Sequence, residues 1–199
     1  RYGYRGFMLD AARNFHSKAE VLRILDLMAA YKLNKFHFHF IDDEGWRLEI
    51  PTLPELTAVG ANRSANFDDG KAIQSAYGSG ATAKSRQFYT VADYIEILKY
   101  AQARHIDVIP EVETPGHARA AIKAMRARFA HYSKLGDKQK AAEFLLDDAD
   151  DSSIYNSAQN WNDNVMNPAL PSTYHFLSKV VDEIKAIHDQ AGVPLKMID

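Results

Sequence analysis

The residues best suited to chemistry fall in three short stretches. Asp10 and Arg13 come first; then His37 and His39, alternating with Phe36, Phe38 and Phe40, run into the consecutive carboxylates Asp42, Asp43 and Glu44. Glu113 and His117 make the third stretch, with Asp107 and Glu111 on the same face of their strand at period two. Arg13 offers a planar fork suited to paired hydroxyls or a carboxylate. An Asp42–His117 pair would fix the imidazole tautomer and direct its far nitrogen at a third group, a common support for a catalytic acid. Another chemistry is open to the same residues. His37 and His39, two apart on a strand, point the same way and could share a zinc with His117 as a third ligand. The plain alternative for these imidazoles is hydrogen bonding within a polar layer.

For these groups to meet, strands must deliver them to one edge. Tyr4–Asp10 reads as a first strand ending in a carboxylate. Ser17, with Glu20 three residues on, has the pattern of a capping box, and Val21, Leu25 and Met28 continue at helical spacing to about Leu33. The alternation of Phe36, Phe38 and Phe40 with His37 and His39 is that of a strand, and Gly45 is expected as a turn residue. Residues 49–89 hold no period for long; Ser75–Ser85 is rich in Gly, Ala and Ser, and a solvated excursion is as good a reading as a functional loop.

Thr90 caps a second helix bearing Val91, Tyr94, Ile95, Leu98 and Ala101, and residues 106–113 form a third strand in which Pro110 suggests an edge. Residues 118–132, rich in Ala and Arg, read as a surface helix. Residues 136–167 read as a polar insertion in which Trp161 is a stacking candidate. Pro171 opens a last helix that stops at Gly192, and residues 195–199 are expected to be strand four. The order β-α-β-α-β-α-β argues for a parallel sheet. No Gly-rich phosphate turn follows any strand, so half of a (β/α)8 barrel is favoured over a doubly wound fold. Asp10, Arg13, His39, Asp42, Asp43, Glu113 and His117 would then gather at one rim.

Composition narrows the partners. With 199 residues, 46% hydrophobic and 25% charged, the chain can bury one sizeable core. A net charge of −2 supports neither nucleic acid nor an acidic membrane as partner, and no apolar run approaches the roughly 18 residues of a membrane span. There is no cysteine, hence no disulfide framework or thiolate chemistry. An opening at Arg1 without a start methionine, and a close on a beginning strand, read as cuts through a longer protein.

Four segments resemble successive signatures of the β-N-acetylhexosaminidases of glycoside hydrolase family 20. They are residues 5–15 (RGFMLDAARNF), 31–39 (YKLNKFHFH), 42–47 (DDEGWR) and 110–117 (PEVETPGH). Residues 167–174 (NPALPSTY) and 191–196 (AGVPLK) resemble later segments of the bacterial chitobiase branch. The resemblance implies a (β/α)8 barrel of which this is the first half. It implies a retaining, substrate-assisted mechanism in which the 2-acetamido oxygen attacks the anomeric carbon to give an oxazolinium intermediate. Arg13 matches the arginine that holds the 3- and 4-hydroxyls of the terminal sugar, and Asp42 and His117 match the pair that orients and tunes the acid. Glu113 stands at a substrate-binding position where many members carry Asp. Asp10, Asp43 and His39 are assigned support.

The family's Asp-Glu pair, which orients the acetamido group and protonates the leaving oxygen, would follow shortly after Asp199. Asp199 itself stands where His is common. The resemblance implies no cofactor or metal, a terminal N-acetylhexosamine as partner along with the other half of the barrel, and a periplasmic or extracellular location. The 199-residue piece alone is expected to be inactive. Two other functions fit the residues: a metal-dependent barrel hydrolase, and a catalytically silent sugar-binding barrel.

Overall fold

A computed structural model describes residues 2–64, 71–74 and 87–199. In chain order the elements are β1 (Gly6–Asp10), α1 (Lys18–Ala30), β2 (Lys35–His39), β3 (Ile41–Asp42), β4 (Gly45–Trp46), α2 (Glu55–Gly60) and β5 (Arg63–Ser64). They continue with β6 (Ile73–Gln74), α3 (Val91–Gln102), β7 (Asp107–Glu111), α4 (Arg119–Lys134), α5 (Lys138–Ala142) and α6 (Pro171–Ala191). The organising sheet is parallel, in the order β1-β2-β7. Its register places Asp10 beside His39 and His39 beside Glu111. The last residues of all three strands therefore stand in one row.

The alternation in β2 sorts its side chains. Phe36, Phe38 and Phe40 are fully buried. Their rings pack in sequence at centroid distances of 4.8 Å, with Tyr89 and Tyr94 alongside. Val21, Leu25 and Met28 of α1 and Ile97 and Leu98 of α3 complete this layer. His37 and His39 are left on the other face. The capping box expected at Ser17 forms with Glu20, and Thr90, expected as a cap, forms a second box with Asp93. At the far end α6 stops on Gly192, whose φ of 67° is the left-handed conformation glycine adopts cheaply.

Several expectations are corrected. The first helix ends at Ala30 rather than Leu33, because Lys32 turns to φ 60° and Leu33 N–H donates back to the Met28 carbonyl. Gly45 is not in the turn, which is Asp43-Glu44; it lies in β4, paired with Asp42. A Cβ there would come within 2.5 Å of Arg47 Nε and 2.6 Å of the Ala12 carbonyl, so close approach explains the glycine. The described part of residues 49–89 is no solvated excursion: Ile50, Leu53, Leu56 and Ile73 are buried, and its two ends pair through Glu49 and Tyr89. Ser75–Ser85 lies outside the described residues.

The helix expected at the surface, α4, buries Ala120, Ala121, Ala124 and Met125 against α2. Small side chains make that face thin but not exposed, because they let two helices approach closely. The polar insertion contains α5 and buries Leu146, Asn164 and Met166. Residues 195–199 are not assigned as a strand. Only Asp199 lies along the sheet, its N–H donating to Pro110 O and its carbonyl accepting from Val112 N–H. Pro110 lacks the donor that a longer ladder would use.

Candidate active site

The site begins with the turn after β1. Asp10 Oδ1 accepts the N–H groups of Ala12 and Arg13 at 3.1 and 3.0 Å, and its Oδ2 binds Arg13 Nη1 at 2.9 Å. Arg13 is thereby bent back over the strand ends. Its Nη2 lies 2.6 Å from Asp42 Oδ2 and its Nε 3.3 Å from Glu44 Oε2. Three of its five N–H donors thus face carboxylates, leaving one on each terminal nitrogen. The side chain remains 30% exposed, so the remaining fork can be reached from the hollow above the strands.

Beneath this turn two buried arginines tie the backbone together. Arg47 donates to the carbonyls of Ala12, Glu44, Ala61 and Gln87 at 2.7–3.4 Å. Arg63 donates to those of Ala12, Arg13 and Glu44 at 2.7–3.2 Å. Burial, followed by the neighbouring Arg63 charge, lowers the Arg47 pKa to about 9.

Asp42 is the hub. It is almost fully buried. Its Oδ2 accepts from His39 Nε2 at 2.7 Å as well as meeting Arg13, and its Oδ1 accepts the Asp43 N–H at 2.5 Å and His117 Nδ1–H at 3.2 Å. Burial alone would raise its pKa; the His39 bond, the Asp43 N–H and the Arg13 charge outweigh that and hold it below the usual carboxylate value. His39 shows the reciprocal effect. Burial opposes its charge, but the bond to Asp42 and the charges of Glu111, Asp10 and Asp42 raise its pKa to about 9. The centre is an Asp42 carboxylate against a His39 imidazolium.

His117 follows the cis Thr114–Pro115 peptide and takes φ 52°, which turns its ring back over the sheet. With Nδ1–H given to Asp42, its Nε2 is the ring atom left for another group. Asp43 is held separately, accepting from Arg119 N–H at 3.1 Å and Asn164 Nδ2 at 2.9 Å. Burial, and then the Asp42 charge, raise its pKa. Glu113 stands further off, 3.9 Å from His39 Nδ1, its pKa raised by burial and by the charges of Asp42 and Glu111.

The structure therefore brings Asp10, Arg13, His39, Asp42, Asp43, Glu113 and His117 to one rim. The zinc set is not assembled. His37 Nε2 and His39 Nδ1 both lie 2.7 Å from Glu111 Oε2, while His117 faces Asp42 and Asp43 instead. Two mixed groups, His39–Glu111–Glu113 and Asp42–Asp43–His117, have donor atoms close enough to share an ion among the described residues. Each is already engaged in the pairings above.

The rim set expected from the sequence left out Glu111 and Glu44, and also Arg47, Arg63, Arg119 and Asn164. Period two along the third strand already put Glu111 on the polar face, and Glu44 adjoins two chosen residues. Arg119 and Asn164 carry no local signal, since only the tertiary fold brings them to Asp43. Trp161, expected to stack, does so under the Arg119 guanidinium, 4.2 Å from its ring centroid.

The comparisons with known proteins agree with this geometry. The family described as "Glycosyl hydrolase family 20, catalytic domain" matches residues 2–194. A beta-hexosaminidase of Vibrio vulnificus is 50% identical over 197 residues, 98% of this chain and 23% of that protein. The N,N'-diacetylchitobiase of Vibrio harveyi is 48% identical over 98% of this chain and 22% of its own length. The chain thus spans about a quarter of the length of these relatives. Among solved structures, the Vibrio harveyi GH20 exo beta-N-acetylglucosaminidase in complex with N-acetylglucosamine superposes with a TM-score of 0.76 at 43% identity, over 94% of this chain and 26% of that one. Three parallel strands with covering helices, matched to a barrel enzyme over nearly their whole extent, are part of a (β/α)8 barrel, and the chain belongs to the catalytic domain of glycoside hydrolase family 20.

Proposed function

We propose that the protein to which this chain contributes is a β-N-acetylhexosaminidase. It removes terminal GlcNAc or GalNAc from chitooligosaccharides or related glycans by the retaining, substrate-assisted route. The single observation that carries the reading is Asp42 bound at once by Arg13 and His117, 2.6 and 3.2 Å away. One partner presents a fork to vicinal hydroxyls; the other presents an imidazole to a proton donor. In this reading Arg13 grips the 3- and 4-hydroxyls, and Asp42 and His117 hold the general acid in position and set its pKa. Glu113 borders the sugar, while Asp10, Asp43 and His39 keep the others in place. The acid and the acetamido-orienting carboxylate belong to the other half of the barrel. The expected location is periplasmic or otherwise extracellular, where chitin fragments are met.

Paired aryl substrates test this. The full-length protein should release the aryl group from an aryl N-acetyl-β-glucosaminide but not from the matching β-glucoside, which lacks the attacking acetamido oxygen. Equal turnover of both, or of neither, would contradict the proposal.

A further inference from the structure

The carboxylates 42, 43 and 44 are adjacent in sequence, and two of their partners come from one remote segment. Asn164 Nδ2 holds Asp43 Oδ2 at 2.9 Å, and Trp161 Nε1 donates to Glu44 Oε1 at 3.3 Å. Glu44 is 1% exposed, and its other oxygen, Oε2, has no hydrogen-bond donor within good geometry; it faces Arg13 Nε at 3.3 Å. The indole is itself fixed. Arg119 lies over its face, and Arg119 Nε binds Asp163 Oδ1 at 2.8 Å. The turn carrying Trp161 closes on itself, Ser157 N–H donating to the Trp161 carbonyl and Trp161 N–H to Ser157 Oγ.

We propose that Trp161 and Glu44 are positioning residues for Arg13, and that the segment between α5 and α6 thereby tunes how tightly the 3- and 4-hydroxyls of the terminal sugar are held. An indole N–H can only donate. It therefore fixes Glu44 with one oxygen turned away and the other beside Arg13 Nε. That contact sets the rotation of the guanidinium, which Asp10 and Asp42 alone would hold at the two terminal nitrogens. The two free N–H donors are then aimed rather than free to swing. Glu44 is too enclosed to meet a sugar itself, so its effect passes through Arg13.

This inference rests on the sugar-binding role proposed for Arg13. Its test uses the full-length protein, an aryl N-acetyl-β-glucosaminide and the 4-deoxy analogue of that substrate. Trp161→Phe removes the N–H and keeps a ring under Arg119. Glu44→Gln removes the charge without touching the indole, so one probe survives any packing loss at the other. Each variant should raise KM about five- to tenfold, the net scale of one hydrogen bond, with kcat within about twofold. The 4-deoxy penalty in kcat/KM should shrink in both. The double variant should be no worse than the poorer single one, since both act on one link. Additive losses, a fall in kcat at constant KM, or an undiminished 4-deoxy penalty would overturn the proposal while leaving the activity in place. No turnover by the unaltered protein would remove the underlying reading and this inference with it.

Discussion

At the scale of single residues, Asp42 meets Arg13, His39 and His117 with one buried carboxylate. Asp42→Asn keeps the shape and removes the charge that all three answer to. Activity of the full-length protein should fall by about a hundredfold or more, the range for losing support of a general acid, with KM less affected than kcat. A loss under threefold would leave Asp42 without the part assigned to it. Titration offers a second check. The His39 pKa is raised from 6.5 to about 9, so its contribution to stability is complete below pH 6.5 and is lost as pH rises through 9. Asp42 acts oppositely: its pKa is lowered, so its contribution holds above 3.8 and fades as acid protonates it. Nitrogen NMR of the His39 ring should show an imidazolium at pH 7.5. A neutral ring there would mean that burial prevails over Glu111 and Asp42.

At the scale of elements, the site depends on two turns held from below by Arg47 and Arg63. Arg47→Lys takes the guanidinium donors from the Ala61 and Gln87 carbonyls and leaves those of Ala12 and Glu44 to Arg63 alone. The cost should be about 2 kcal/mol or more, read as a lowered denaturation midpoint. Gly45→Ala would drive a Cβ against Arg47 and the Ala12 carbonyl and should cost about 1–3 kcal/mol. Gly116→Ala, with nothing within 4 Å, should stay within about 0.5 kcal/mol and serves as the control. A neutral Gly45→Ala would show that this corner of the site is looser than its distances imply.

The same elements show what could be read in advance. Strong alternation in β2, the caps at Ser17 and Thr90, and the Pro171 and Gly192 boundaries are local signals, and each falls where the sequence put it. The burial of α4 was not legible. Its packing face is alanine, whose contribution depends on how near α2 comes rather than on apolar bulk. Partners contributed across long separations, Asn164 to Asp43 and Trp161 to Glu44, left no pattern in the chain either.

At the scale of the molecule, β1 and β7 border the three-stranded sheet, and Phe7 and Met8 of β1 are 42% and 47% exposed. Open parallel edges with apolar side chains invite association. The 199-residue chain expressed alone should therefore bind an apolar dye and unfold without a sharp transition. Cooperative melting with no dye signal would show that it needs no further strands. In the proposed enzyme, further barrel strands would cover both edges and the proposed acid would stand over His117. The most direct measurement is a structure of the full-length protein with N-acetylglucosamine bound. Two adjacent ring hydroxyls should lie within about 3.2 Å of the Arg13 guanidinium, with His117 Nε2 beside the carboxyl that serves as acid. A sugar seated away from Arg13, with His117 Nε2 facing empty solvent, would contradict the account.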